Sequence, residues 1–152
     1  MQKTVLIFVS FLFGSIFMGF YQEPTVCNAK ILKEKTKEFL DPFKYDSSEL
    51  TRIMYKNKEV VKDVEIPLFI GEKYRIVFNT EALPKPIEIN IYNKDKEAKK
   101  RTLLFSSKNQ EKGLRQFFYE CSKVRHVFID YVVPKTDTAA MQGCVVCMIG
   151  YK

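Results

Sequence analysis

Between residues 64 and 93 apolar and polar positions alternate. Ile87, Ile89 and Ile91 interleave with Glu88, Asn90 and Tyr92, a period of two that sends one set into a core and the other toward water. Two further runs, residues 64–70 and 73–79, flank Gly71-Glu72. The pattern returns in residues 114–120, with Phe117 and Tyr119 on one side and Phe118 on the other, and apolar groups on both faces predict a central strand. In residues 124–133, Val127, Ile129, Tyr131 and Val133 share one face, and His126, Phe128 and Asp130 the other. Residues 51–55 and 102–106 add shorter strands, and residues 143–151 form a closing one, expected to pair with its predecessor through a loop. Breaks arrive about every 8–12 residues, the spacing of a sandwich or barrel. Pro67 lacks the amide that a ladder needs, which puts its strand at an edge or a bulge.

Ahead of this region, residues 25–40 carry a helical period. Val26, Ala29, Leu32, Phe39 and Leu40 gather on one side, and Lys30, Lys33, Lys37 and Glu38 mostly on the other, an amphipathic stripe. Thr25 suits the N-cap, and Asp41-Pro42 ends the helix. Tyr45-Asp46-Ser47-Ser48 reads as a turn. The fold class is therefore all-β: an antiparallel β-sandwich, jelly-roll-like, of seven or eight strands with one N-terminal amphipathic helix. Residues 1–22 stand apart, 23–48 hold the helix and turn, and 49–152 the sandwich. A mixed α+β arrangement is the main structural alternative.

Composition adds the compartment. The chain has 152 residues with 46% apolar and 14% aromatic content, enough for one packed core and too apolar for general disorder. Met1-Gln2-Lys3 precedes an uncharged apolar run over residues 4–20, the layout of a secretory signal peptide. A run of that length also meets the requirement for an uncleaved membrane anchor, and Gly19-Phe20-Tyr21-Gln22 offers no clean small-x-small cleavage pair. Cys27 lies too far beyond the run for lipidation. The formal charge of +7 reads first as solubility, from lysines spread through helix and loops, and is compatible with an anionic surface of lipid, glycan or nucleic acid. No dense basic run is interleaved with stacking aromatics, so nucleic acid is not an expected partner.

Four cysteines, Cys27, Cys121, Cys144 and Cys147, behind an export signal predict one or two disulfides, with three full connectivities; the alternative is buried free thiols acting as small apolar groups. The preferred bridge joins Cys27 to Cys144 or Cys147. Cys144 and Cys147 form a C-x-x-C pair, yet they sit in a β-branched run without the following helix that would activate a thiol. In a strand their side chains diverge. One histidine, His126, leaves zinc without ligands and reads as a sheet-surface residue. Asn93, Asp95 and Glu97 mimic the start of a calcium loop, but Ala98 and Leu104 occupy positions that need Gly and Glu. No cofactor or metal is expected, and no catalytic residue is nominated. Exposure and an available aromatic mark Glu88, Asn90 and Tyr92, with Lys94, Lys99, Lys100 and Arg101 of the next loop, as the binding face.

Residues 69–78, Phe69-Ile70-Gly71-Glu72-Lys73-Tyr74-Arg75-Ile76-Val77-Phe78, resemble the opening strand of the bacterial pre-peptidase C-terminal and GOLD-like jelly-roll domains. Residues 87–95, 127–131 and 144–151 are similar to their later strands, so the likeness spans about residues 64–151. The acidic calcium cluster of those domains and their attached protease are missing. What the resemblance implies is a small non-catalytic sandwich that binds or supports something at the cell envelope. The expected function is an exported, non-enzymatic binding or structural module in the periplasm, at the outer-membrane periphery or outside the cell. Its partner would be an envelope protein or a polysaccharide, with membrane contact only through an uncleaved N-terminal segment. The alternative is a thiol–disulfide or redox-responsive envelope protein using Cys144 and Cys147. An enzyme with an unrecognised site is the third class.

Overall fold

A computed structural model describes residues 27–138 and 141–152. The N-terminal apolar run, and the expected cap at Thr25 with its neighbour Val26, lie outside the described residues. Helix α1 spans Ala29–Lys37, capped by Asn28, whose side-chain oxygen accepts from the amide of Ile31 at 3.2 Å. A short 3-10 turn, Glu38–Leu40, continues it. Eight strands follow: β1 (Lys44–Met54), β2 (Val60–Pro67), β3 (Lys73–Asn79), β4 (Glu88–Tyr92), β5 (Leu103–Ser106), β6 (Gln116–Ser122), β7 (His126–Val133) and β8 (Gln142–Tyr151).

They form two four-stranded antiparallel sheets, ordered β1-β8-β3-β6 and β2-β7-β4-β5. Successive strands alternate between the sheets in the jelly-roll manner, except β4 and β5, which pair as neighbours in the second sheet, so the predicted fold class holds. The alternation read from sequence is the core: Ile89 and Ile91 from β4, and Val127, Ile129, Tyr131 and Val133 from β7. These meet Ile76 and Phe78 from β3 and Val145, Cys147 and Ile149 from β8. A mutually packed cluster of Phe78, Phe105 and Phe117, with centroids 5.6–6.5 Å apart, bridges the two sheets.

Strand β8 is buried on both faces. Its second face, Cys144, Val146 and Met148, packs with Val77 against Leu32 and Leu40 of the helical segment. The apolar stripe of α1 thus lies on the outside of the first sheet, although Phe39 stays exposed. Gly150 allows this closeness, since a Cβ there would meet Leu40 Cδ2 at 2.9 Å and Phe43 Cβ at 3.0 Å.

Three expectations need correction. Residues 45–48 are not a turn but the first half of β1, with a bulge between Tyr45 and Ser47. Pairing with β8 overrides the turn-like composition, and a polar, bulged strand suits a sheet edge. Strand β6 is an edge strand rather than central. Its outward Phe118, 46% exposed, finds cover from the guanidinium of Arg75 at 4.4 Å rather than from another strand. The last two strands do not pair: β7 and β8 lie in opposite sheets, because the chain changes layer after Val133. Pro67 does end an edge strand, β2.

Candidate functional site

The expected binding face lies outside the second sheet. Asp63 of β2, Asp130 of β7, Asn90 of β4 and Ser106 of β5 occupy one cross-strand row. The loop over residues 93–102 folds back across it. Lys96 Nζ reaches Asp63 at 2.5 Å, and Arg101 Nη2 donates to Asp130 Oδ2 at 2.7 Å. The same guanidinium lies 3.7 Å above the Tyr92 ring. Within the loop, Asp95 Oδ1 accepts from the amides of Glu97 and Ala98, both at 2.8 Å. Asn93 Oδ1 accepts from the Thr102 amide at 2.7 Å. The calcium-like spacing therefore serves turn geometry.

This arrangement changes the expected face. Asn90 is only 7% exposed, Glu88 and Tyr92 are half-buried, and the loop's own arginine covers the aromatic. Glu88 is paired with Lys108 at 2.6 Å and receives the Asn90 amide at 2.8 Å. Lys94, Lys99 and Lys100 remain exposed, whereas Arg101 does not. Under the loop, Asn90 Oδ1, Asp130 Oδ1 and Arg101 Nη1 are buried without a hydrogen-bond partner in the protein.

Beside Glu88, at the end of the sandwich formed by the β3–β4, β5–β6 and β7–β8 connections, lies an open groove of about 420 Å³. Ile87, Phe117 and Val132 form its floor, and Pro86, Leu114 and Pro134 stand along its walls. Charge collects at the rim, where the Glu88–Lys108 pair faces Glu111, Lys112 and Arg115. Arg115 is held by donating to the Leu83 carbonyl. Concave, mainly apolar sites with a few convergent polar groups are the usual shape of binding sites. The reading from sequence missed this groove. The available signal was Leu114, an exposed apolar residue straight after Gly113, whose φ of +90° turns the chain.

The cysteines separate. Cys27 is bonded to Cys144, with Cα atoms 5.6 Å apart, one of the two preferred bridges. Cys121 and Cys147 are free and buried, so a single disulfide is formed. Cys144 faces the helix and Cys147 the interior, as alternate faces of a strand require. Burial pushes the Cys121 thiol up to about 11 and the Cys147 thiol up to about 12. The C-x-x-C spacing brings no two sulfurs together. His126 is exposed at the start of β7, its Nδ1 2.8 Å from Glu65 and its ring stacked 6.4 Å from Phe128; it is a sheet-surface residue. Among the described residues no three of His, Cys, Asp and Glu gather into a metal-holding group. No protein-family model matches the chain, and no match was found among curated proteins.

Proposed function

We propose that the chain is an exported, non-enzymatic binding module of a bacterial cell envelope, and that it takes a segment of another envelope protein in the groove beside Glu88. The observation that carries this reading is the groove itself: an apolar floor of Ile87, Phe117 and Val132 under a charged rim. A lining that is mainly aliphatic and prolyl, with Phe117 only 8% exposed, suits apolar side chains of a peptide better than a sugar ring, which stacks on open aromatic faces. The Cys27–Cys144 bond supports an oxidising compartment. It sits just past the apolar run of residues 4–20, where an export signal would release the chain or an anchor would hold it. The resemblance of residues 64–151 to envelope-associated jelly-roll domains points the same way.

A photo-crosslinking residue at Leu114, irradiated in the producing cell, tests the proposal. A single envelope protein attached from Leu114, lost when Phe117→Ala alters the floor, supports it. Absence of any adduct, or recovery of the chain from the cytosol with all its cysteines reduced, overturns it. A polysaccharide attached in place of a protein would replace the partner class.

A further inference from the structure

At the end of the sandwich opposite the groove, the β2–β3 turn presents two apolar side chains to solvent. Phe69 is 78% exposed and Ile70 58%. Leu68, next to them, is buried, so the chain seats one apolar residue in the core and projects the following two. The turn is held in shape. The Leu68 amide donates to the Arg125 carbonyl at 2.7 Å, the Phe69 amide to Tyr74 Oη at 3.1 Å, and Gly71 takes a φ of +107°. An exposed aromatic beside an exposed branched aliphatic, on a turn fixed by its neighbours, is costly to leave in water without a use.

The surroundings are cationic. The Arg125 contact places the β6–β7 turn, with Lys123 and Arg125, directly against the apolar tip. The β4–β5 loop follows, because a shallow depression is lined jointly by Lys94, Lys123 and Arg125. Lys99 and Lys100 lie further along that loop. All five side chains are exposed, and among the described residues none has a carboxylate within salt-bridge distance. The acids present are Glu72 beside the tip, Asp95 and Glu97 in the loop, and Glu65, which lines the same depression; Asp95 is occupied with backbone amides and Glu65 lies 2.8 Å from His126 Nδ1.

We infer that this end docks on an anionic lipid surface, with Phe69 and Ile70 entering the headgroup–acyl boundary and Lys94, Lys99, Lys100, Lys123 and Arg125 contacting acidic headgroups. The tip projects and bears no groove, so it needs a soft apolar phase rather than a rigid ligand. A second copy of the chain would bring two cationic rims together, which charge repulsion opposes. A lipid surface satisfies the apolar tip and the separated cations at once, and amphipathic interfacial binding combines those two contributions. The inference is independent of the groove, which lies at the far end of β7.

The chain contains no tryptophan, so Phe69→Trp in the full chain installs a single reporter at the tip. Leu114→Trp, in a separate protein, reports on the opposite end, where Cys27 is also fastened. Each is mixed with phosphatidylcholine vesicles, with or without phosphatidylglycerol, carrying brominated acyl chains. The tip reporter is expected to shift to the blue and be quenched only with phosphatidylglycerol, while the Leu114→Trp protein stays unchanged. Raising salt past the point where the screening length falls to about 3 Å should reverse the effect. Combining Phe69→Trp with Lys99→Glu, Lys100→Glu and Lys123→Glu should weaken it by roughly tenfold or more, since each cation near a charged surface adds to binding. The inference falls if the tip reporter ignores anionic vesicles, if it responds equally to pure phosphatidylcholine, or if Leu114→Trp alone is quenched. A lipid-free blue shift that grows with protein concentration would assign the tip to a second copy and overturn it as well.

Discussion

Arg101 donates to Asp130 at 2.7 Å from 29 residues away while lying 3.7 Å above the ring of Tyr92. One side chain thereby fastens a charged loop to the outer face of a sheet and neutralises a carboxylate that is only 4% exposed. Removing the cation alone would strand that carboxylate, and an uncompensated buried charge costs more than the pair contributes. Arg101→Met is expected to destabilise by about 2–3 kcal/mol in urea unfolding, at or just below the roughly 3–5 kcal/mol of a fully broken buried pair because the guanidinium is partly solvated. Arg101→Met with Asp130→Leu should recover most of that loss. A single variant as stable as the parent would show that the loop is not fastened by this pair.

The bond between Cys27 and Cys144 closes 117 residues of sequence. In the chain-entropy view a loop that long restricts the unfolded ensemble by roughly 4–5 kcal/mol. Cys27→Ala with Cys144→Ala, or reduction of the parent, should lower the unfolding midpoint accordingly. Amides of α1 should then exchange fastest, since the bond fastens the start of the helical segment to β8. A loss below about 1 kcal/mol would mean that Leu32 and Leu40 hold the segment unaided.

Alternation made most of this architecture readable in the chain. Ile87, Ile89 and Ile91, and the four inward residues of β7, identify their strands and faces without help, because a half-buried strand must alternate. Residues 45–48 could not be read so, since their strand is specified by its pairing with β8, Tyr45 with Gly150 and Ser48 with Met148, far along the chain, and not by their own composition. Phe118 misled for a related reason: an apolar residue on a second face usually means a second layer, but here it means an arginine drawn across an edge. The binding face was chosen on exposure that the sequence implied and the loop then removed. Nothing local announces that Arg101 will return over Tyr92. The groove and the tip were harder still, each resting on one or two apolar residues beside a glycine, Leu114 after Gly113 and Phe69-Ile70 before Gly71.

Stability should fall at both ends of the pH scale, for separate reasons. Glu120 receives Lys73 and Arg75, which hold its carboxyl below the usual 4.5. A carboxyl more acidic when folded contributes stability that is present above its unfolded value and lost as pH falls through its folded one. Glu81, lowered by Gln116 and Lys35, acts in the same direction. At the alkaline end Cys121 and Cys147 are raised by burial from 9.0 to about 11 and about 12. A thiol less acidic when folded contributes stability that is full below 9.0 and lost as pH climbs toward those values. Buried Tyr131 is also raised. Urea midpoints measured across pH should therefore be level between about 5 and 9 and decline on either side. The thiols should resist alkylation at neutral pH until the chain unfolds. Cys121→Ala with Cys147→Ala should soften the alkaline decline while leaving the acid limb in place; an unchanged alkaline limb would move the cause to the tyrosines.

No lysine can replace Arg75. Its guanidinium lies between Phe43 at 4.6 Å and Phe118 at 4.4 Å. Nε and Nη2 donate to Glu120 at 3.0 and 2.6 Å, and Nη1 donates to the carbonyls of Phe39 and Asp41 at 3.1 and 2.6 Å. The group therefore joins the exposed edge strand β6, the strand β3 that carries it and the segment leading from the helix into β1. A planar fork can stack and donate in three directions at once, whereas an ammonium is a compact charge on a flexible stem. Arg75→Lys keeps the charge and loses the stack and most of the donors, so a cost of about 1–2 kcal/mol follows from those contacts. Arg75→Met keeps apolar contact with the two rings but strands Glu120 with Lys73 alone, and it should cost more. Hydrogen exchange at residues 38–43 should rise in both variants while β4 and β7 stay protected, because the second sheet does not touch this junction. Uniform loss of protection across both sheets would place Arg75 in the global stability of the sandwich rather than in the attachment of its N-terminal segment.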